Sequence, residues 1–432
     1  MKNKLKLISL LLVVILVVFS FTACGDTPEN TSSVDTSSEV SSTPPPEPDP
    51  ITVTVGAVGD LLIHTPLITA AKTGDTYDFN SIFKYVGDYY KSFDYLVGNL
   101  EVTLGGTATA YIGSGAKFNC PDELVDAIMS NGMDMVLTAN NHSYDTGSAG
   151  FYRTGEVLSL KGIDYIGTHF GNAKNYKVVD IEGVKIGMIN YTYQTGDLNN
   201  YSLNGITLKK GDEKFINTFS YGHLDTFYSQ IEEDINNMYR DGAEAIITYL
   251  HWGNEYHLEP NNLQKTIAQK LCDFGVDVIV GGHPHVVEPV DLISSTVSGK
   301  QTVCIYSTGN AVSNQFRQNM PNTSKKFPHV GQGASEDGVI FSVSFTKKGN
   351  GEVVLSGVNA MPTWMHYYWA NGKNNYEIIP LDKEIDYVTK FNLKSVESKL
   401  DVSYNRTMGL VEAGIEKFNN QYIQKDLRKT VN

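Results

Sequence analysis

Hydrophobic residues follow two spacings along this chain, and the spacings alternate. Alternating or continuous β-branched runs predict strands at 51–60, 94–101, 133–138, 163–167, 243–250, 276–280 and 302–307. Helical spacing predicts helices at 78–90, 120–129, 151–161, 224–240 and 262–274. Because strand and helix take turns up to residue 310, the pattern predicts an α/β fold whose sheet is mostly parallel.

Other stretches depart from this alternation. Two strand-like runs at 176–181 and 184–191 are joined by Glu182-Gly183, which predicts a hairpin, and 338–347 with 352–358 predicts a later one. The segment 195–221 is polar and lacks periodicity, so we expect an insertion or lid, and we expect 317–335 to be loop-like. Residues 387–425 are polar and largely helical in pattern.

The first 50 residues differ from the rest. Three lysines precede an uncharged apolar run at 7–21, and small residues lead up to Cys24. This layout is typical of a secretory signal over 1–23. The alternative is a transmembrane anchor, but the run at 7–21 is shorter than the about 20 apolar residues that a membrane-spanning helix needs. Phe21-Thr22-Ala23-Cys24 resembles a bacterial lipobox, so we expect a lipid on Cys24 and an extracytoplasmic, membrane-anchored lipoprotein. Residues 24–50, rich in Ser, Thr, Pro and acids, predict a disordered tether.

Charge and cysteine content narrow the function classes. The formal net charge is −14, and removal of the signal would take away three lysines and no acid. Nucleic acid is therefore excluded as a partner, and an anionic polymer would require a local basic patch or bound cations. Cys120, Cys272 and Cys304 lie in apolar runs, so we expect small buried hydrophobic residues and no disulfide framework.

Metal-ligating side chains follow several of the predicted strands. Gly281-Gly282 ends one strand and is followed by His283-Pro284-His285, which holds two imidazoles at a rigid spacing. The carboxyl ends of parallel strands meet at one edge of a sheet, where such side chains can converge. The candidates are Asp60, Asn99, Glu101, Asn141, His142, His251, His283 and His285.

This mixture of carboxylate, amide and imidazole predicts a divalent metal centre of one or two ions. It suits Mn, Fe or Zn, and the lack of thiolates argues against a closed structural zinc site. Each residue also has an ordinary explanation: Asp60 as a helix cap, Glu101 as a surface charge, Asn141 as a turn residue. The repetition at five strand ends favours the metal site.

Five further residues are candidates for substrate binding: Asn99, Asn140, Lys117, Trp252 and Asn310. Trp252 could stack on a substrate ring or pack into the core. Lys117, like Arg153, could neutralise an anionic polymer or lie on a solvated face.

Several motifs together resemble a known family. They are Val58-Gly59-Asp60, Gly98-Asn99-Leu100-Glu101, the run 139–147 with Asn140-Asn141-His142, His251-Trp252-Gly253-Asn254-Glu255, Gly282-His283-Pro284-His285 and Tyr306-Ser307-Thr308-Gly309-Asn310. Over about 51–365 the chain is similar to the CapA family, the capsule-synthesis and poly-γ-glutamate-associated proteins of the calcineurin-like metallophosphatase superfamily. The resemblance implies a four-layer α/β/β/α sandwich over 51–365, followed by a largely helical C-terminal extension over 366–432.

The resemblance also implies roles. Glu101 would be the bridging carboxylate between two ions; Asn141, His251 and His283 would complete one ion, and Asp60 with His285 would serve the other. His142 would be the catalytic acid, paired with Asp145. The chain departs from the superfamily pattern in two places: Leu62 stands where a first-strand His is usual, so that His64 or water would have to replace it, and Glu101 replaces an Asp.

Three functions follow as hypotheses. The first is an envelope-anchored, metal-dependent hydrolase or transferase acting in synthesis, release or attachment of an anionic capsule polymer, poly-γ-glutamate, alongside its membrane synthase complex. The second is a non-catalytic accessory subunit of that synthase or export complex. The third is an extracytoplasmic phosphoesterase or nucleotidase.

Overall fold

The computed structural model describes residues 47–115 and 117–430, with side chains described up to residue 422. The predicted signal peptide, Cys24 and nearly all of the predicted tether lie outside these residues. Within them, two large sheets hold eight and seven strands. In chain order the strands are β1 Ile51–Leu61, β2 Tyr95–Asn99, β3 Met135–Leu137, β4 Asp164–Ile166, β5 Tyr176–Ile181, β6 Val184–Tyr193, β7 Thr218–Phe219, β8 Ala245–His251, β9 Val278–Gly282, β10 Val287–Ser294, β11 Gln301–Thr308, β12 Asn310–Val312, β13 Asp337–Lys347, β14 Val353–Ala370 and β15 Lys373–Pro380.

Helices and small hairpins make up the rest of the regular structure. The α-helices are α1 Thr65–Ala71, α2 Gly87–Tyr90, α3 Glu123–Ser130, α4 Gly147–Lys161, α5 Leu224–Arg240, α6 Asn262–Asp273, α7 Pro321–Lys326, α8 Pro328–Gly331, α9 Tyr387–Lys390 and α10 Glu397–Thr430. Short 3₁₀ segments lie at Asn80–Phe83, Asp212–Phe215, Ala334–Glu336 and Lys394–Val396. Two-residue or three-residue hairpins pair Lys72–Thr73 with Thr76–Tyr77, Ile112–Ser114 with Lys117–Asn119, and Ser202–Leu203 with Ile206–Thr207.

Both sheets are parallel at their centres and antiparallel at an edge. The first sheet has the order β15-β14-β13-β1-β2-β3-β4, and β12 also pairs with β1. In it, β1, β2, β3 and β4 run parallel, whereas β13, β14 and β15 are antiparallel. The second sheet has the order β7-β6-β8-β9-β11-β10, with β5 beside β6. Its strands β6, β8, β9 and β11 run parallel, as the sequence predicts.

One hydrophobic core lies between the sheets, and others lie outside them. Alternate residues of β1 and β6, such as Val55 and Ile186, share the central cluster, to which α10 adds Val411. The outer side chains of the first sheet pack with α1, α3 and α4. Those of the second sheet pack with α5 and α6 through residues such as Ile231 and Leu271. Apolar side chains of period two along each strand therefore cover both faces of both sheets.

Most predicted elements are confirmed, and the differences have local causes. The hairpin turn places Glu182 and Gly183 at φ 50° and 90°, the left-handed pair that a tight hairpin requires. The helix predicted over 78–90 forms only as two short segments, 80–83 and α2. Strand β10 was not predicted because Pro289 interrupts its pattern; it lies at the sheet edge, where the missing amide is tolerated.

The C-terminal part is less helical at its start than we expected. Strand β14 runs through residue 365, the expected end of the main domain, and β15 pairs with it up to Pro380. Helix follows only after this strand. In the described part of the chain, no helix is both long and apolar enough to cross a membrane. Cys120, Cys272 and Cys304 are buried free thiols, as predicted.

Candidate metal centre

The polar residues at the strand ends do meet, and both sheets contribute. Asp60 ends β1 and Glu101 follows β2 in the first sheet; His251 ends β8 and His283 follows β9 in the second. These residues, with Asn141, His142 and His285, are at most 5% exposed. A surface charge or a solvated turn residue would not be buried, so the ordinary explanations for Glu101 and Asn141 do not apply.

Three of these residues form a compact group that fits a cation. Glu101, His283 and His285 each offer a ligand atom within 4.8 Å of the others. Neither carboxylate oxygen of Glu101, nor Nδ1 of His283, has a hydrogen-bond partner among the described residues. Because an unpaired buried polar atom costs about 1–3 kcal/mol, this set is better satisfied with an ion present. Carboxylate and imidazole are suitable donors for Mn, Fe or Zn.

Asn141 and His251 lie beside this group and bond to each other. The Nε2 of His251 is 2.7 Å from the Asn141 side-chain oxygen and 3.4 Å from Glu101 Oε1. On the other side of the ring, Asn99 Nδ2 is 3.3 Å from Nδ1. Since the Asn99 amide can only donate, the network assigns the ring proton to Nε2, which donates to Asn141. Both residues lie next to the compact group, and their part as metal ligands stays a prediction.

Asp60 lies behind the compact group, in contact with the rear of a ligand ring. Its Oδ1 accepts from Asn99 Nδ2 at 2.7 Å, and its Oδ2 is 3.1 Å from His285 Nδ1. The opposite nitrogen of that ring, Nε2, is 3.9 Å from Glu101 Oε1. Asp60 is therefore placed to orient His285, the usual role of a carboxylate behind a metal-binding imidazole. We expected Asp60 to be a direct ligand; it also lies close enough to Glu101 for its charge to raise the pKa of that residue, and its part as a ligand stays a prediction.

Burial sets the protonation of the group. Burial lowers the pKa of His251 to about 3 and holds that of His283 well below its usual value. Burial, with the charge of Asp60, raises the pKa of Glu101 well above its usual value. Burial disfavours the charged forms of Asp60 and His285, but the hydrogen bond between the two residues favours those forms more strongly. The pKa of Asp60 is therefore lowered and that of His285 is raised. Neutral His251 and His283 are in the form that binds metal.

His142 and Asp145 form the predicted pair, buried and close enough to the centre for their charges to act on Glu101, His251 and His283. The Nδ1 of His142 is 2.8 Å from Asp145 Oδ2, which also accepts the Phe118 amide at 2.6 Å. The Phe118 ring packs against the imidazole with centroids 4.7 Å apart. Burial raises the pKa of Asp145, although the pairing with His142 opposes the shift. With Nδ1 occupied by the carboxylate, Nε2 is the nitrogen left to exchange a proton.

The three asparagines that we considered for substrate binding instead hold the site together. Asn140 Nδ2 donates to Asn99 Oδ1 at 3.1 Å, and Asn99 in turn contacts both Asp60 and His251. Asn310 has its Oδ1 3.1 Å from His285 Nδ1 and donates through Nδ2 to the His285 carbonyl at 3.1 Å. These amides are buried and engaged by protein groups, so their role is positioning.

The remaining sequence candidates lie in different environments. Trp252 is fully buried in the outer core of the second sheet, and its indole donates to the Tyr306 carbonyl at 2.9 Å. It has no face for a substrate ring, so the core alternative describes it. Lys117 is exposed and is close enough to Asp145 to lower the pKa of that carboxyl. Arg153 is paired with Asp122.

The position of the missing first-strand histidine is filled by the core. Leu62 is buried among apolar side chains. The Nδ1 of His64 does not replace the missing ligand, because it lies 3.0 Å from the Leu62 carbonyl oxygen and 3.2 Å from the Asn314 backbone nitrogen. His64 is also outside the compact group of ligand atoms.

Two tyrosines beside the imidazoles were missed by the sequence reasoning. The Tyr193 ring lies 4.8 Å from the His283 ring, and the Tyr256 ring lies 6.1 Å from that of His285. Tyr256, His283 and His285 all have positive φ, at 61°, 98° and 55°. Strained backbone of this kind concentrates at functional sites. A sequence signal was available for Tyr193, because Tyr191-Thr192-Tyr193 continues the alternation of the strand, and β6 indeed ends at Tyr193.

Comparison with known proteins identifies the family of the chain. Residues 54–315, more than half of the chain, match the family described as "Bacterial capsule synthesis protein PGA_cap". The chain is 27% identical over 272 residues to "Capsule biosynthesis protein CapA" of Bacillus anthracis, covering 61% of this chain and 60% of that protein. It is 26% identical over 264 residues to "PGA biosynthesis protein CapA" of Bacillus subtilis (strain 168), covering 60% of this chain and 62% of that protein. The chain thus spans somewhat less than two thirds of the length of these relatives, and it belongs to the bacterial capsule synthesis PGA_cap family.

Proposed function

We propose that this protein is an envelope-anchored, metal-dependent hydrolase or transferase that acts on an anionic capsule polymer, poly-γ-glutamate. The observation that carries the proposal is the buried group of Glu101, His283 and His285, whose ligand atoms converge and in which Glu101 and His283 have unpaired atoms. The hydrogen-bonded pair of His142 and Asp145 lies close to it. The polymer class is supported by the printed names of the two relatives.

The proposed chemistry assigns a role to each part of the site. Glu101, His283 and His285 would hold a divalent cation, with His251 and Asn141 next to it. Such a cation supplies a Lewis acid that polarises a carbonyl or phosphoryl oxygen and lowers the pKa of water. His142, oriented through Nδ1 by Asp145, would donate a proton from Nε2 to the departing group.

The finer fold and the cellular location are part of the proposal. The cores between and outside the two sheets support a four-layer α/β/β/α arrangement of the metallophosphatase type. The lipobox-like Phe21-Thr22-Ala23-Cys24 and the apolar run before it support a lipid anchor and an extracytoplasmic location. A membrane synthase complex would be the partner in that location.

A phosphoesterase or nucleotidase is the second candidate. The His142–Asp145 pair favours it, because a carboxylate-oriented imidazole can protonate a leaving alkoxide as well as a leaving amine. A non-catalytic accessory role is favoured by one observation, the replacement of the usual first-strand His by the buried Leu62.

Metal analysis combined with two substrate assays would test these proposals. The purified protein and its Glu101→Gln variant are loaded with manganese or zinc, dialysed and analysed for bound metal, with Asp234→Asn as a matched control. Asp234 is also a buried carboxylate of raised pKa, but it lies on α5 against Tyr191. We expect the wild type and the control to retain metal, and the Glu101 variant to lose it.

Substrate assays then separate the candidates. Chain shortening or transfer of poly-γ-glutamate that requires metal and His142 would support the leading proposal, whereas turnover of phosphate esters alone would support the second. A His142→Ala variant that restores polymer production in cells, where deletion does not, would favour the accessory role. Retention of no metal by the wild type would overturn both enzymatic proposals.

A further inference from the structure

Arg406, on the long C-terminal helix α10, is bound to one short segment of the main fold. Its Nε and Nη2 donate to the two oxygens of Asp337 at 2.5 and 2.9 Å. Its Nη1 and Nη2 also donate to the carbonyls of Gln332 and Gly333, each at 3.1 Å. The guanidinium therefore fixes both ends of segment 332–337, which a single ion pair would not do.

This contact is buried and shared with a second residue of the helix. Asp337 is 2% exposed, and Ser403, one turn before Arg406, donates its hydroxyl to Asp337 at 2.6 Å. A buried carboxylate is retained only with such compensation, so the loss of the guanidinium would release the segment.

The same segment supports a ligand of the candidate metal centre. The carbonyl of Ser335 accepts from Asn310 Nδ2 at 3.0 Å, and the Asn310 oxygen lies 3.1 Å from His285 Nδ1. Gly338 packs so closely that a Cβ there would lie 2.2 Å from the Asn310 carbonyl oxygen. The segment therefore holds the side chain of Asn310, and the residue that follows the segment packs against its backbone.

His285 needs this support because its own backbone is strained. Its φ is 55°, and Asn310 holds its carbonyl as well as its ring nitrogen. Residues in the left-handed region keep that conformation only when their surroundings hold them there. The chain of contacts runs from Arg406 through segment 332–337 to Asn310 and then to His285.

We propose that Arg406 is a positioning residue for the metal centre, so that helix α10 acts as a brace that sets the His285 ring through segment 332–337 and Asn310. This proposal rests on the proposed metal site, but the contacts that it invokes are independent of any ion. The C-terminal extension would then belong to the functional unit, although it lies outside the residues that match the family.

Two measurements on the full chain test the brace. The first is hydrogen exchange by mass spectrometry, which measures the amides of 284–287 and 308–312 in the metal-free Arg406→Gln variant. The second is manganese titration, which measures the affinity of the same variant for the ion. Asn419→Ala is the matched control, since Asn419 joins the same helix to Val358 at 3.0 and 3.3 Å without touching segment 332–337.

We expect Arg406→Gln to speed exchange in these two segments and to weaken manganese binding by about 10-fold, the lower end for residues behind a metal ligand. Asn419→Ala should leave both unchanged. If Arg406→Gln does not fold, Arg406→Lys takes its place, since it keeps a charge beside Asp337 but loses the planar guanidinium. It should also speed exchange and should weaken manganese binding by about 3-fold.

The failures of the two proposals are distinguishable. Exchange that matches the Asn419 control, or unchanged manganese affinity in a folded Arg406 variant, would overturn the brace. Faster exchange at 284–287 together with a wild type that binds no manganese would leave the brace standing and overturn the proposed metal-dependent function.

Discussion

Replacement of Glu101 by Gln should make the metal-free protein more stable and the metal-loaded protein less so. The Glu101 carboxylate is fully buried, and neither oxygen has a hydrogen-bond partner among the described residues. Burial and the nearby charge of Asp60 raise its pKa well above the usual 4.5. Glutamine keeps the shape of the side chain but removes the charge. The buried charge destabilises the folded protein when no cation is bound, and it stabilises the folded protein when a cation is bound.

The sign of the pH dependence follows from proton linkage. Because the pKa of Glu101 is higher in the folded than in the unfolded protein, the folded state holds a proton that the unfolded state has lost above about pH 4.5. Wild-type stability at this site therefore falls as pH rises through that window, by about 1.4 kcal/mol per pH unit until the folded group ionises. Glu101→Gln does not titrate, so its advantage is absent at pH 4 and should grow as pH rises above about 4.5.

The metal effect has the opposite sign. A ligand at 100 times its dissociation constant stabilises the folded state by about 2.7 kcal/mol. For a folded unit of roughly 380 residues, with an unfolding entropy of about 2.1 cal/mol/K per residue, this corresponds to a rise in Tm of about 3 °C.

Thermal and urea unfolding of both proteins, from pH 4 to pH 8, with EDTA and then with manganese, would measure both effects. We expect the order of stability of the two proteins to reverse on metal addition. The variant is the more stable in EDTA at pH 7, and only the wild type is stabilised by manganese. An equal rise in Tm for both proteins would refute the assignment of Glu101 as a ligand. A variant no more stable than the wild type in EDTA at pH 7 would refute the argument from its buried charge.

Three further outcomes are expected. His142→Ala and Asp145→Asn should lower turnover of whichever substrate is accepted by about 10²-fold or more, because the pair acts in proton transfer. The amount of bound metal should stay constant, because the pair lies beside the ligand group. Steady-state kinetics and metal analysis measure the two effects. Trp252→Phe should lower the free energy of unfolding by about 1–3 kcal/mol, through a lost buried hydrogen bond and lost volume, without changing the KM for polymer, and a raised KM would contradict its placement in the core. Gly59→Ala should cost about 3 kcal/mol by urea unfolding, because its Cβ would lie 2.0 Å from a backbone carbonyl oxygen, whereas Gly357→Ala, whose Cβ would make contacts at 3.4 Å, serves as the tolerated control.

The alternation of hydrophobic periods was enough to predict the fold class and the sheet edge at which the candidate ligands meet. Strand β1 and helix α5 form where the pattern places them, and the parallel centres of both sheets follow from that alternation. A strand that stops at Gly281-Gly282 must deliver His283 and His285 to a loop, whatever surrounds it. Residues at the carboxyl ends of several parallel strands could then be grouped before any coordinates were known.

What only the tertiary structure decided is the direction in which each side chain faces and which partner it meets. Sequence spacing treats Asp60 and Glu101 alike, as acids at strand ends. In the fold, Asp60 is engaged by Asn99 and His285, whereas Glu101 is left with unpaired oxygens facing the imidazoles. The same holds for Trp252, which packs in the core, and for Arg406, which reaches segment 332–337 from a helix far along the chain. Local periodicity reports which face of an element is apolar; contacts between residues distant in sequence depend on how the two sheets and α10 pack, and no local pattern encodes that packing.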